Sequence, residues 1–131
     1  MPKPVILCVD DEIAVLESLK AQLKSAFGSE YCYELAENAI DALEMLEEFI
    51  EEDIQVLVIV SDWLMPGMKG DELLIRIHQK FPNIVKVMLT GQADEAAIAR
   101  VKKEANLHSC LYKPWLESEL IEIIKSGLKT T

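Results

Sequence analysis

The chain has 131 residues, 50% of them hydrophobic, and its 13 basic against 23 acidic side chains give a formal charge of −10. That length suits one ordinary domain, residues 1–131, with a single core and no room for a second. So acidic a balance excludes a nucleic-acid-binding surface on this chain, and no apolar run reaches the roughly 18 positions that a membrane span requires.

Five short aliphatic runs alternate with five segments whose apolar residues recur at helical spacing, the mark of a βα-repeating α/β domain. The first strand is expected at Val5–Val9, closed by Asp10, Asp11 and Glu12, which also cut the stretch too short for a signal peptide. A helix follows with Leu16, Leu19, Leu23 and Phe27 on one stripe and Gly28 to stop it. The second strand is expected at Cys32–Ala36 and the second helix after Asn38, a good N-cap, with Ile40, Leu43, Leu46 and Ile50 inward. Glu44, Glu47, Glu48, Glu51, Glu52 and Asp53 read as its solvated face running into a loop. The third strand, 56–61, leads to Asp62, and the third helix starts near Gly70, presents Leu74, Ile77 and Phe81, and closes before Pro82. The fourth strand, 85–89, precedes Thr90, and its helix has only a thin stripe, Ala97, Ile98, Val101 and Ala105, which predicts loose packing. The fifth strand, Ser109–Tyr112, runs into Lys113 and Pro114, before a helix expected to bury Leu116, Leu120, Ile124 and Leu128. Three cysteines, Cys8, Cys32 and Cys110, cannot pair completely, which suits a reducing cytoplasm.

In a parallel sheet the carboxyl ends of all strands share one edge, where α/β folds bind ligands. Asp10, Asp11 and Asp62 then converge, and like charges that close require a cation, Mg²⁺ or a similar hard ion. Thr90 and Lys113 fall on the same edge and add a hydroxyl and an ammonium. Such a pocket suits attack by the Asp62 carboxylate on a phosphoryl group, whose oxygens would be held by the metal, Lys113 and Thr90. As bare structural elements, Asp10 or Asp11 would cap the first helix, Asp62 would face water, Thr90 would end a strand and Lys113 would snorkel. His78 and His108 have no partner spacing and read as solvated or locally bonded, Trp63 and Trp115 as packing around the pocket rim, and Cys110 as a small buried hydrophobe.

Four segments in order, Val9-Asp10-Asp11-Glu12, Ser61-Asp62-Trp63-Leu64-Met65-Pro66-Gly67-Met68-Lys69-Gly70, Met88-Leu89-Thr90-Gly91 and Tyr112-Lys113-Pro114-Trp115, resemble the receiver domain of bacterial two-component response regulators. The resemblance covers almost the whole chain. It implies a flavodoxin-like five-stranded parallel sheet in the order 2-1-3-4-5, with Asp62 as phosphoacceptor and Asp10 and Asp11 as the acidic pair that holds Mg²⁺ or Mn²⁺. It further implies a metal ligand in the backbone carbonyl of Leu64, phosphoryl contacts from Thr90 and Lys113, and a cis bond before Pro114. The phosphodonor would be a sensor histidine kinase or a histidine phosphotransfer protein, and the surface of helix four, strand five and helix five would respond. The resemblance is compatible with a homodimer through the last helices and with a linked output domain. One position departs from the family: Cys110 stands where an aromatic residue is usual, and Tyr112 shares its side of the strand without necessarily inheriting its role.

Two other classes use similar parts. A haloacid-dehalogenase-like Mg²⁺-dependent phosphohydrolase also combines an aspartate nucleophile, a hydroxyl and a lysine, but it places a second aspartate two positions after the nucleophile, where this chain has Leu64. Its order of acidic groups also differs. A receiver-like docking module would have lost a site residue, and none is lost.

Overall fold

The computed structural model describes residues 2–91 and 95–129. The outermost residues of the expected domain, Met1, Thr130 and Thr131, lie outside the described residues. Strands β1 (Val5–Val9), β2 (Cys32–Ala36), β3 (Val56–Asp62), β4 (Val85–Thr90) and β5 (Ser109–Tyr112) alternate with helices α1 (Ile13–Phe27), α2 (Ala39–Glu51), α3 (Gly70–Lys80), α4 (Glu95–Glu104) and α5 (Glu117–Lys129). The strands form one parallel sheet in the order β2-β1-β3-β4-β5, a flavodoxin-like arrangement. β3 and β4 each extend one residue further than expected and include Asp62 and Thr90. No helix among the described residues is long and apolar enough to cross a membrane.

Both faces of the sheet are covered, which explains the unbroken aliphatic runs. Alternation along the strands divides the core in two. Val5, Leu7, Val9, Ile59 and Met88 pack beneath α2, α3 and α4. Ile6, Cys8, Val58, Val60, Val87 and Leu89 pack beneath α1 and α5. All five residues of β1 are buried, and each fully buried aliphatic side chain contributes about 1.5–3 kcal/mol relative to exposure.

The helix ends follow their local chemistry. Gly28 takes φ +63° and donates its N–H to the Lys24 carbonyl, ending α1 as expected. The Asn38 side chain accepts from the Asp41 N–H at 2.8 Å and caps α2. α4 keeps slight exposure on its inward stripe, with Ala97 and Ile98 at 8%, and an Arg100 to Asp71 ion pair ties it to the first turn of α3.

Three inward assignments differ from expectation. In α2 the buried stripe is Ala39, Ala42 and Leu46, with Leu43, Met45 and Phe49 half-buried, whereas Ile40 and Ile50 are 53% and 47% exposed. Alanines pack helix to sheet more closely than isoleucines can, and the helix has turned to place them inward. Leu116 precedes α5 and is 67% exposed. Its N–H donates to Glu119 Oε1 while its carbonyl accepts from the N–H groups of Glu119 and Leu120, so its backbone serves as the cap of α5 and its side chain is left outside. The stripe that α5 buries is Leu120, Ile124 and Gly127. The acidic block from Glu44 to Asp53 is exposed as expected, with Glu47 paired to Lys80.

Candidate phosphoryl site

Strand register alone brings the site together. Val9 pairs with Ser61 and Asp62 with Leu89, so Asp10 emerges beside Asp62, and Thr90 stands one step beyond the Asp62 position. Thr90 pairs with Tyr112, and Lys113 follows immediately. Backbone bonds continue past the strand ends: Asp10 N–H to the Ala36 carbonyl at 3.2 Å, Trp63 N–H to the Leu89 carbonyl at 2.8 Å, and Lys113 N–H to the Thr90 carbonyl at 2.8 Å. The Lys113-Pro114 peptide bond is cis, as the motif implied.

Asp10, Asp62 and Thr90 are buried, whereas Asp11 is exposed. Each of Asp10, Asp11 and Asp62 offers a carboxylate oxygen within 4.8 Å of the others. Lys113 Nζ lies 2.8 Å from Asp10 Oδ2, 3.2 Å from Asp62 Oδ1 and 3.8 Å from Glu12 Oε1. Asp10 has a structural task as well, since its Oδ1 accepts the Glu12 N–H at 2.8 Å at the entrance to α1. All of the strand-end residues singled out by the sequence are therefore on one edge.

Burial pushes the Asp62 carboxyl up to about 6, the Asp10 charge adds to that rise, and the charge and hydrogen bond of Lys113 only partly oppose it. Burial disfavours the charge on Lys113, but its hydrogen bond to Asp10 and the charges of Asp62 and Asp10 together hold its pKa above the ordinary lysine value. Three carboxylates against one ammonium leave the site short of positive charge. The donor set is all oxygen, hard and closely spaced, with no histidine or cysteine, which fits Mg²⁺ or Mn²⁺ in preference to zinc.

The remaining candidates have these places. Leu64 lies in the loop after Asp62 with a 52% exposed side chain that carries no donor atom. Cys110 is half-buried against the core beneath α2, α3 and α4; burial pushes its thiol up, and a hydrogen bond with Tyr112 works the other way. Tyr112 is half exposed. Trp63 is half-buried with Lys69 Nζ 5.6 Å from its ring centroid, and Trp115 donates to Gln22 Oε1 at 2.8 Å, so both pack at the rim as expected. His108 bonds to the Lys86 carbonyl at 2.9 Å through its backbone N–H. His78 departs from expectation: its Nδ1 is buried with no partner among the described residues.

Sequence reasoning gave no role to two residues here. Glu12 brings a third carboxylate toward Lys113, and buried Ser61 donates through Oγ to the Asp62 carbonyl at 3.0 Å. Both sit inside the quoted motifs, but only strand register shows what they touch.

A family model described as the response regulator receiver domain matches residues 6–125. The chain belongs to that family. Receivers of this family are phosphorylation-activated switches of two-component signalling, and the likenesses below lend nothing to a phosphohydrolase. The hydrogenase transcriptional regulatory protein HoxA of Bradyrhizobium diazoefficiens is 31% identical over 124 residues, which are 95% of this chain and 24% of that protein. The chain thus spans about a quarter of the length of that relative. A chemotaxis protein CheY homolog of Campylobacter jejuni is 29% identical over 127 residues, covering 95% of this chain and 92% of the relative. Among solved structures, the signal receiver domain of an HD domain-containing protein from Pseudomonas fluorescens superposes with a TM-score of 0.86 at 31% identity, over 98% of this receiver and 96% of that chain.

Proposed function

We propose that Asp62 is the phosphoacceptor of this receiver and takes its phosphoryl group from the phosphohistidine of a sensor kinase or a histidine phosphotransfer protein. The observation that carries the reading is the buried Asp62 carboxylate at the end of β3, with Lys113 Nζ at 3.2 Å and the carboxylates of Asp10 and Asp11 within 4.8 Å. An Asp62 oxygen attacks phosphorus, the bond from phosphorus to the donor nitrogen breaks, and the product is an acyl phosphate. Lys113 turns its ammonium from Asp62 to a phosphoryl oxygen, and the Thr90 hydroxyl takes another. Asp10, Asp11, Asp62 and the Leu64 carbonyl are the residues that would hold Mg²⁺ or Mn²⁺, which supplies charge neutralisation for the incoming group. Asp10 keeps Lys113 in place throughout.

The added charge acts where β4 and β5 end, and the Lys113 N–H to Thr90 carbonyl bond joins those ends. Residues 1–131 act as one receiver unit, and its responsive surface is α4, β5 and α5, the face that a second copy or a linked output domain would read. The reaction alters the receiver itself and then reverses by hydrolysis, without turnover of a separate substrate. Three free thiols, with Cys8 pushed up to about 12 by burial, suit work in a reducing cytoplasm.

Incubation with Mg²⁺ and acetyl phosphate should add one phosphate to the intact mass, and Asp62→Asn should abolish the gain. Absence of the added mass, or a gain that survives Asp62→Asn, overturns the assignment.

A further inference from the structure

The loop that leaves Asp62 returns to it at a single glycine. Gly70 opens α3, and its N–H donates to the Trp63 carbonyl at 2.8 Å, closing residues 63–70 into a ring beside the site. A Cβ built on Gly70 would overlap the Asp62 carbonyl oxygen and would lie 2.9 Å from both the Asp62 carbonyl carbon and Trp63 Cα. All three are backbone atoms, so no side chain can swing aside. Gly70 does not occupy the left-handed region, so its residue type is demanded by closeness and not by backbone conformation. Gly67, in the same loop, is the opposite case: it takes φ +80° with open space around it.

The contact has leverage because of what it touches. The Asp62 carbonyl faces Gly70 and also accepts from Ser61 Oγ, while the N–H of the same peptide, that of Trp63, donates to the Leu89 carbonyl. The Asp62–Trp63 peptide is thus held between β4 on one side and the first turn of α3 on the other. A methyl group at position 70 must push α3 outward or turn the Asp62 peptide, and either movement displaces the reacting carboxylate and the Leu64 carbonyl together.

We infer that Gly70 is a positioning residue of the phosphoryl site: its missing Cβ lets α3 clamp the Asp62 peptide, and this clamp sets divalent-metal affinity and the rate of aspartyl phosphorylation. The inference rests on Asp62 being the phosphoacceptor. Its counterpart is Gly127 of α5, where a Cβ would meet Val85 Cγ1 at 2.8 Å and His108 Cδ2 at 3.5 Å. That position is also tight, though against side chains and not backbone, and its nearest neighbours are Val85 and His108, in the opposite layer.

The test compares Gly70→Ala and Gly127→Ala with the unaltered protein at a temperature where all are folded, reading Mg²⁺ affinity from tryptophan fluorescence and initial rates with acetyl phosphate. Gly70→Ala should weaken Mg²⁺ binding and slow phosphorylation by about tenfold or more each, while Gly127→Ala loses thermal stability yet stays within about twofold on both. Equal effects of the two variants, or an unchanged Gly70→Ala, overturn the inference. In the unaltered protein, Mg²⁺ alone should slow hydrogen exchange of the Gly70 amide by roughly fivefold or more, and no slowing refutes the clamp even if Gly70→Ala does not fold. Failure of the unaltered protein to gain phosphate strikes the phosphoacceptor assignment, whereas its gain with an unaffected Gly70→Ala strikes this inference alone.

Discussion

Asp62 carries an electrostatic cost in the metal-free fold. Its carboxyl is pushed from the ordinary 3.8 up to about 6, chiefly by burial and then by Asp10. The folded chain therefore holds this proton more tightly than the unfolded chain does. The ionised group weakens the metal-free fold above about pH 6, and that penalty fades as pH falls from about 6 toward the unfolded value near 4. Asp62→Asn, which can still accept from Lys113, should stabilise the metal-free protein by about 1–3 kcal/mol at neutral pH, with the gain vanishing toward pH 4. Urea denaturation across that range without metal checks this, and saturating Mg²⁺ should favour the unaltered protein. A pH-independent gain, or a loss at neutral pH, would contradict the electrostatic account. The strand-end residues were legible in the sequence because aspartate, threonine and lysine at the ends of aliphatic runs have little structural reason to be there. Glu12, Ser61 and Gly70 were not assigned roles, since each acts on a backbone group or a lysine that only strand register and loop closure bring near. Cys110 was legible as a departure, and its partner Tyr112 lies on the same side of β5 as alternation required.

At the level of elements, the strands were read closely and the helix faces less so. Strands buried on both sides leave no face to misassign, whereas a helix can rotate. Nothing in the spacing of α2 discloses that Ala39 and Ala42 outrank Ile40 and Ile50, because the sheet rewards close approach there over side-chain size. In α5 the deciding interaction is the reciprocal bonding of Leu116 and Glu119, which fixes the helix start at Glu117 and sends an apolar side chain outside. Leu116→Ala should accordingly change stability by less than about 0.5 kcal/mol, while Leu120→Ala should cost about 2–5 kcal/mol. Chemical denaturation of the two variants distinguishes this arrangement from one in which Leu116 is core. Similar losses would place Leu116 in the core and contradict the cap.

Across the whole molecule, two helical layers cover a sheet whose carboxyl edge gathers Asp10, Asp11, Asp62 and Lys113. The division of the core into two clusters makes the sheet a stiff platform, and five parallel strands deliver residues from the first tenth of the chain and the last fifth to one point. The alternation of elements was plain from periodicity, but the strand order was legible only through the four motifs taken together, because no single run encodes which neighbour it pairs with. In the proposed function this edge serves the phosphorylation of Asp62. Borohydride reduction converts an aspartyl phosphate to homoserine, so reduction after exposure to Mg²⁺ and acetyl phosphate, followed by peptide mass mapping, should place a single homoserine at position 62. Homoserine at position 10 or 11, or none at all, would contradict the account.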